Sequence, residues 1–172
     1  GGAKHEALNN VAVDGATGNI IGVGSFSSPV ATFGGVVLPN TNVDPEYSMA
    51  LIWKVDAKGT TVWAVGECGS SYVIDPSFSS STRASGCFLT SVKIDSSGSV
   101  IVTGAFYKNA NFGGIRLNEP DGKVPLLWKL SQTGTTLWAQ SFGNAYGARR
   151  RCGEGTMSDV LVNSGGDIVV AG

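Results

Sequence analysis

The chain has 172 residues, with 12 Lys and Arg against 13 Asp and Glu and a formal net charge of −1. So balanced a charge, carried by only 15% of residues, excludes a general nucleic-acid binder, whose phosphate contacts need a basic surface. No stretch approaches the roughly 18–20 apolar residues that span a bilayer as a helix, and 25 glycines point to many turns.

In chain order, the first predicted strand is Val11-Ala12-Val13, closed by a turn at Asp14–Gly18 and followed by Asn19–Gly24. The same phrase returns as Val92-Lys93-Ile94-Asp95 followed by Gly98–Gly104, and again as Val160-Leu161-Val162-Asn163 followed by Gly165–Gly172. Between these, Phe33-Gly34-Gly35 recurs as Phe112-Gly113-Gly114 and reads as a loop. Leu51-Ile52-Trp53-Lys54-Val55 and Thr61-Val62-Trp63-Ala64 recur as Leu126-Leu127-Trp128-Lys129-Leu130 and Thr136-Leu137-Trp138-Ala139. Apolar residues alternate at period two in each block, the signature of strands. Asp56–Gly59 and Ser131–Gly134 complete the set of short turns, in which Asp or Ser bonds its own backbone and Gly accepts positive φ.

Each full unit thus predicts four strands as two hairpins. The expected organisation is repeat 1 over 1–86 with a C-terminal insertion loop, repeat 2 over 87–155, and the first hairpin of repeat 3 over 156–172. A repeat unit cannot bury its apolar face alone. Burial of Val160, Val162, Ile168 and Val170 is therefore expected to need strands from elsewhere. The start at Gly1-Gly2, without Met or signal peptide, is expected of a mature, processed or fragmentary chain.

Three cysteines stand at Cys68, Cys87 and Cys152. Cys68 and Cys87 bracket an insertion and are expected to form a disulfide, leaving Cys152 for an intermolecular or out-of-fragment partner. The alternative is three buried free thiols; a zinc site using His5 lacks ligand spacing. Trp53, Trp63, Trp128 and Trp138 are expected as repeat core aromatics, with a sugar-stacking platform as the other option. Ser77, Ser79, Ser80, Ser81 and Thr82 follow Pro76 and form a possible O-glycan loop or a plain polar loop; no Asn stands in an N-glycosylation sequon. Arg149-Arg150-Arg151 reads as a solvated loop.

Catalytic constellations are not found. His5 is the one histidine, no Ser stands in G-x-S-x-G, and Gly22-Val23-Gly24 opens no helix. The Asp residues beside glycines follow turn chemistry rather than a calcium loop. The expectation is therefore no enzyme, no cofactor and no metal.

The block order, strand, Asp-turn-Gly, strand ending in Gly, Phe-Gly-Gly, Trp-Lys strand, turn, Thr-Thr-x-Trp-Ala, resembles SBBP-type (seven-bladed β-propeller) repeat proteins of secreted and cell-surface type. The insertions Ser70 to Gly86 and Ala145 to Gly155 depart from its regular spacing. The resemblance implies an all-β chain of antiparallel four-stranded β-propeller-like blades, an incomplete propeller or repeat array of about two and a third repeats. It implies a non-enzymatic extracellular or cell-surface structural or adhesive protein, part of a longer chain or a fibre-like assembly. The alternatives are a carbohydrate-binding module or the non-catalytic part of a larger propeller enzyme. Expected partners are further repeats or other copies through open strand edges, with a glycan as a further option, but neither nucleic acid nor an inserted membrane.

Overall fold

A computed structural model describes residues 1–42, 47–68, 86–142 and 155–172. The Ser77–Thr82 cluster, Arg149–Arg151, Cys152 and nearly all of the two insertions lie outside the described residues. Among the described residues every regular element is a β-strand and every pairing is antiparallel.

The first sheet contains β1 (Glu6–Val13), β2 (Ile20–Phe26), β5 (Met49–Val55) and β6 (Thr61–Glu67), in that order. Between β2 and β5 stands a small hairpin of β3 (Val30–Phe33) and β4 (Val36–Pro39). The second sheet runs β7 (Cys87–Ile94), β8 (Val100–Phe112), β9 (Ile115–Leu130) and β10 (Thr136–Ser141). A two-stranded sheet follows, β11 (Asp159–Val162) and β12 (Ile168–Ala171). The two Trp-bearing strands of each repeat pair through the expected turns, β5 with β6 and β9 with β10.

The turns form as their side chains dictate. Asp56 Oδ1 accepts from the Lys58 and Thr60 amides at 2.9 and 2.8 Å. Asp95 Oδ1 does the same for Ser97 and Ser99, and Ser131 Oγ for Thr133 and Thr135. Asn163 Oδ1 takes the Asp167 amide. These oxygens are occupied by backbone donors, as turn chemistry requires.

One element differs from expectation. Phe33–Val36 is not a loop but a hairpin turn, with Gly34 and Gly35 at φ 54° and 90°. Two consecutive positive-φ residues make the tight turn whose twist matches flanking strands. Gly113 and Gly114, at φ 60° and 93°, turn the tip of the long β8–β9 hairpin in the same way.

The first strand of each full sheet carries a bulge: Asn9 is the extra residue between Leu8 and Asn10, and Thr90 between Leu89 and Ser91. The kink brings the bulged strand against the glycine opposite it. A methyl on Gly24 would strike the Ala7 carbonyl, one on Gly104 the Phe88 carbonyl, and one on Gly172 the Thr156 carbonyl. The recurring glycine is therefore set by space, and in β2 and β8 it lies inside the strand rather than ending it as expected.

The sheets stack face to face. β7 packs on β1, β2 and β5, and β11 packs on β7 and β8. Leu89, Val92, Val100 and Val102 of the second sheet and Ile21, Val23 and Ile52 of the first belong to one fully buried core. Met157 and Val160 join Ile101 and Leu127 in a second, smaller core, with Val162, Ile168 and Val170 half-buried against it. Without strands from elsewhere, the far face of the second sheet thus covers Val160 fully and Val162, Ile168 and Val170 in part, against the expectation.

Candidate functional site

The recurring residues converge on two kinds of place, an aromatic centre inside each repeat and a seam between repeats. In the first repeat Phe26, Phe33 and Trp53 pack in series, with ring centroids 6.1 and 5.9 Å apart. Phe106, Phe112 and Trp128 repeat the arrangement at 5.9 and 5.1 Å. The Trp53 indole donates to Thr61 Oγ1 at 3.0 Å, and Trp128 to Thr136 Oγ1 at 3.1 Å. A Cβ on Gly34 or Gly113 would fall on the same threonine. Gly-Gly turn, Trp and Thr therefore form one unit, which satisfies the indole N–H in a largely apolar place.

The seam is held by the other tryptophan. Trp63 Nε1 donates to the Gln132 carbonyl at 3.0 Å, within the Ser131–Gly134 turn of the next repeat. Its ring lies so close to Gly134 that a Cβ there would come within 3.0 Å of Cδ2. Lys54 Nζ donates to the same carbonyl at 3.1 Å and stands 5.8 Å from the Trp63 ring centroid. Trp138, its counterpart, is half-buried against the core beneath β11 and β12. Both rings are half-buried. Trp128 is fully buried and Trp53 half-buried against the main core.

A second seam contact also recurs. The bulge residue Asn9 donates its Nδ2 to the Leu89 carbonyl at 2.8 Å. The bulge residue Thr90 donates its hydroxyl to the carbonyl of Met157, which occupies in the third unit the position of Leu89. Beside it Ser91 Oγ donates to Asp159 Oδ1 at 2.6 Å. That hydroxyl, with the Val160 amide, lowers the Asp159 carboxyl below its ordinary range.

Cys68 and Cys87 are disulfide-bonded, with Cα atoms 5.7 Å apart, tying the end of β6 to the start of β7. The Asn111 amide donates to the Cys68 carbonyl at 3.3 Å, and the Cys87 amide to Ser48. Next to the disulfide, burial raises the Glu67 carboxyl above its usual range, opposed in part by the Gly113 amide. Asp95 shows the reverse balance. Burial pushes its carboxyl up, but Lys129 at 2.8 Å, the Ser97 hydroxyl and the Ser99 and Ser97 amides hold it at about 2.

Among the described residues no group of three or more His, Cys, Asp or Glu is placed to hold a metal ion, and no helix is long and apolar enough to cross a membrane. The disulfide fits an oxidising environment. The sequence reading missed Phe26 and Phe106; both stand two residues beyond the recurring glycine, a shared position that carries the signal. It also missed Gln132, which contributes only a carbonyl and so leaves no side-chain signature. No family model and no curated protein matches the chain.

Proposed function

We propose that the protein is a non-enzymatic structural or adhesive repeat module of the secreted or cell-surface type, built of propeller-like blades and working in an assembly. One observation carries this reading. Beside the aromatic centre, a joint recurs: the bulge position, Asn9 and then Thr90, donates from one sheet to the next at both seams, and Trp63 adds a contact to the receiving turn at the first. A module whose joint recurs is suited to extending a scaffold. The disulfide supports an extracellular setting, since such bonds persist where thiols are oxidised.

Sedimentation of the purified chain over a wide concentration range, alongside a glycan array, tests the proposal. Concentration-dependent assembly without glycan capture is the expected outcome. Specific glycan capture by a monomer would replace it with the carbohydrate-binding reading. The approach of Gly134 and Lys54 to the Trp63 ring and the half-burial of Trp138 weigh against that alternative, because they take up part of the ring surface on which a sugar would stack.

A further inference from the structure

The first sheet and the C-terminal hairpin each expose one half of the same joint. In the second sheet Leu89, Val92, Ile94 and Val100 form the face laid on the first sheet, and Leu89, Val92 and Val100 are fully buried. The same positions in the first sheet are Leu8, Val11, Val13 and Ile20. There Val11 and Val13 are 61% and 64% exposed, and Leu8 and Ile20 are exposed beside them. The strand register places them on one side, since Val13 pairs with Ile20 and Val11 with Gly22.

At the other end, Ile21 and Ile101 are fully buried where the next sheet covers them, yet Val169, which occupies their position in β12, is 58% exposed. Leu161, its neighbour on β11, is exposed too. β7 rests on β1, β2 and β5; β11 and β12 are the counterparts of the first two. The polar contact has its partners as well. Ser158 holds the place of Asn9 and Thr90 and is exposed; its hydroxyl donates to its own Ala171 carbonyl, as that of Thr90 does to Thr103 while also reaching Met157, and Leu8 holds the place of the accepting Leu89.

We infer that the face of Leu8, Val11, Val13 and Ile20 binds a second copy of this chain, by receiving the Leu161–Val169 face of that copy's C-terminal hairpin. The molecule's own joints show what this face accepts: the same receiving face is twice filled by the far side of a repeat of this kind, with a bulge side chain donating across the seam. The contact is head-to-tail, so it propagates from copy to copy. This inference rests on the assembly reading above and names the surface that carries it, a face rather than a strand edge.

The test uses the full chain and two single variants, Ile20→Lys and Leu161→Lys. Ile20 lies on β2, which is paired on both sides, and Leu161 on β11, whose partner β12 keeps its outer edge free of the change. Edge-to-edge pairing through β12 is therefore untouched by either. Each variant should retain the wild-type unfolding midpoint and weaken self-association about tenfold or more, because each buries a charge in the contact. Mixed in equal amounts, the two should form a discrete heterodimer, since each keeps one intact face. Wild-type assembly that neither variant weakens would overturn the face contact and leave the assembly reading standing. A wild-type chain that stays monomeric at every concentration would overturn both.

Discussion

A glycine that is required for space behaves differently from one that merely sits in a turn. Gly104 stands where any Cβ meets the Phe88 carbonyl, whereas nothing lies within 4 Å of a Cβ on Gly15. Gly104→Ala should lower the stability measured by urea unfolding by about 1–3 kcal/mol, the range for overpacking, while Gly15→Ala stays within about 0.5 kcal/mol of wild type. Equal effects would remove the spatial explanation. Asp95 supplies a pH-dependent counterpart. Its folded carboxyl is held at about 2 against an ordinary value of 3.8, so the folded state releases its proton more readily than the unfolded chain. The resulting stability, about 2 kcal/mol, is complete above the unfolded value and is lost as pH falls from about 4 towards 2. Asp95→Asn keeps the turn acceptor, as Asn163 does in the third unit. Its cost should therefore appear at neutral pH and vanish near pH 2. A pH-independent cost would assign the loss to the turn instead. Glu67 has the opposite sign: burial raises its carboxyl, so its charge opposes folding as pH rises through the folded value. Glu67→Gln should raise the thermal midpoint at neutral pH and lose that advantage in acid.

At the scale of elements, the strands and turns were legible because each rests on local rules. Alternation placed β5, β6, β9 and β10, and Asp56, Asp95 and Ser131 marked their own turns. The β3–β4 hairpin was not legible, since four residues show too little alternation to separate strand from loop, although the Gly34-Gly35 pair carried the turn signal. Which sheet covers which face was also hidden. Period two assigns Val160 and Val162 to one side of a strand but does not say what lies across from them. The expectation that they lacked cover failed for that reason. The Cys68–Cys87 bond was readable from the insertion it brackets, but its structural role emerges only from the fold: it joins the last strand of one sheet to the first strand of the next. Constraining that loop in the unfolded chain stabilises by roughly 3 kcal/mol in the chain-entropy account. The Cys68→Ser/Cys87→Ser double variant should show a drop of that size in denaturant unfolding, and an unchanged midpoint would mean the loop is already restrained without the bond.

The whole molecule is bound together unevenly. The first two sheets share one continuous core and a disulfide. The C-terminal hairpin adheres through a separate, smaller cluster in which Met157 and Val160 are its only buried apolar side chains among the described residues. In a stack, each unit is stabilised by its own pairing and by its neighbour's face. A unit with two strands and one covered face should open at lower free energy than the sheets behind it. Amides of β11 and β12 should therefore exchange with solvent well before those of β2 and β8 under native conditions. Met157→Ala sharpens the test, because Met157 belongs only to the smaller cluster. Truncating it should speed exchange in the hairpin and leave protection of β2 and β8 as it was. If all three regions lost protection together, the chain would be one cooperative unit, and the hairpin would be part of a single core rather than the loosely held end of a stack.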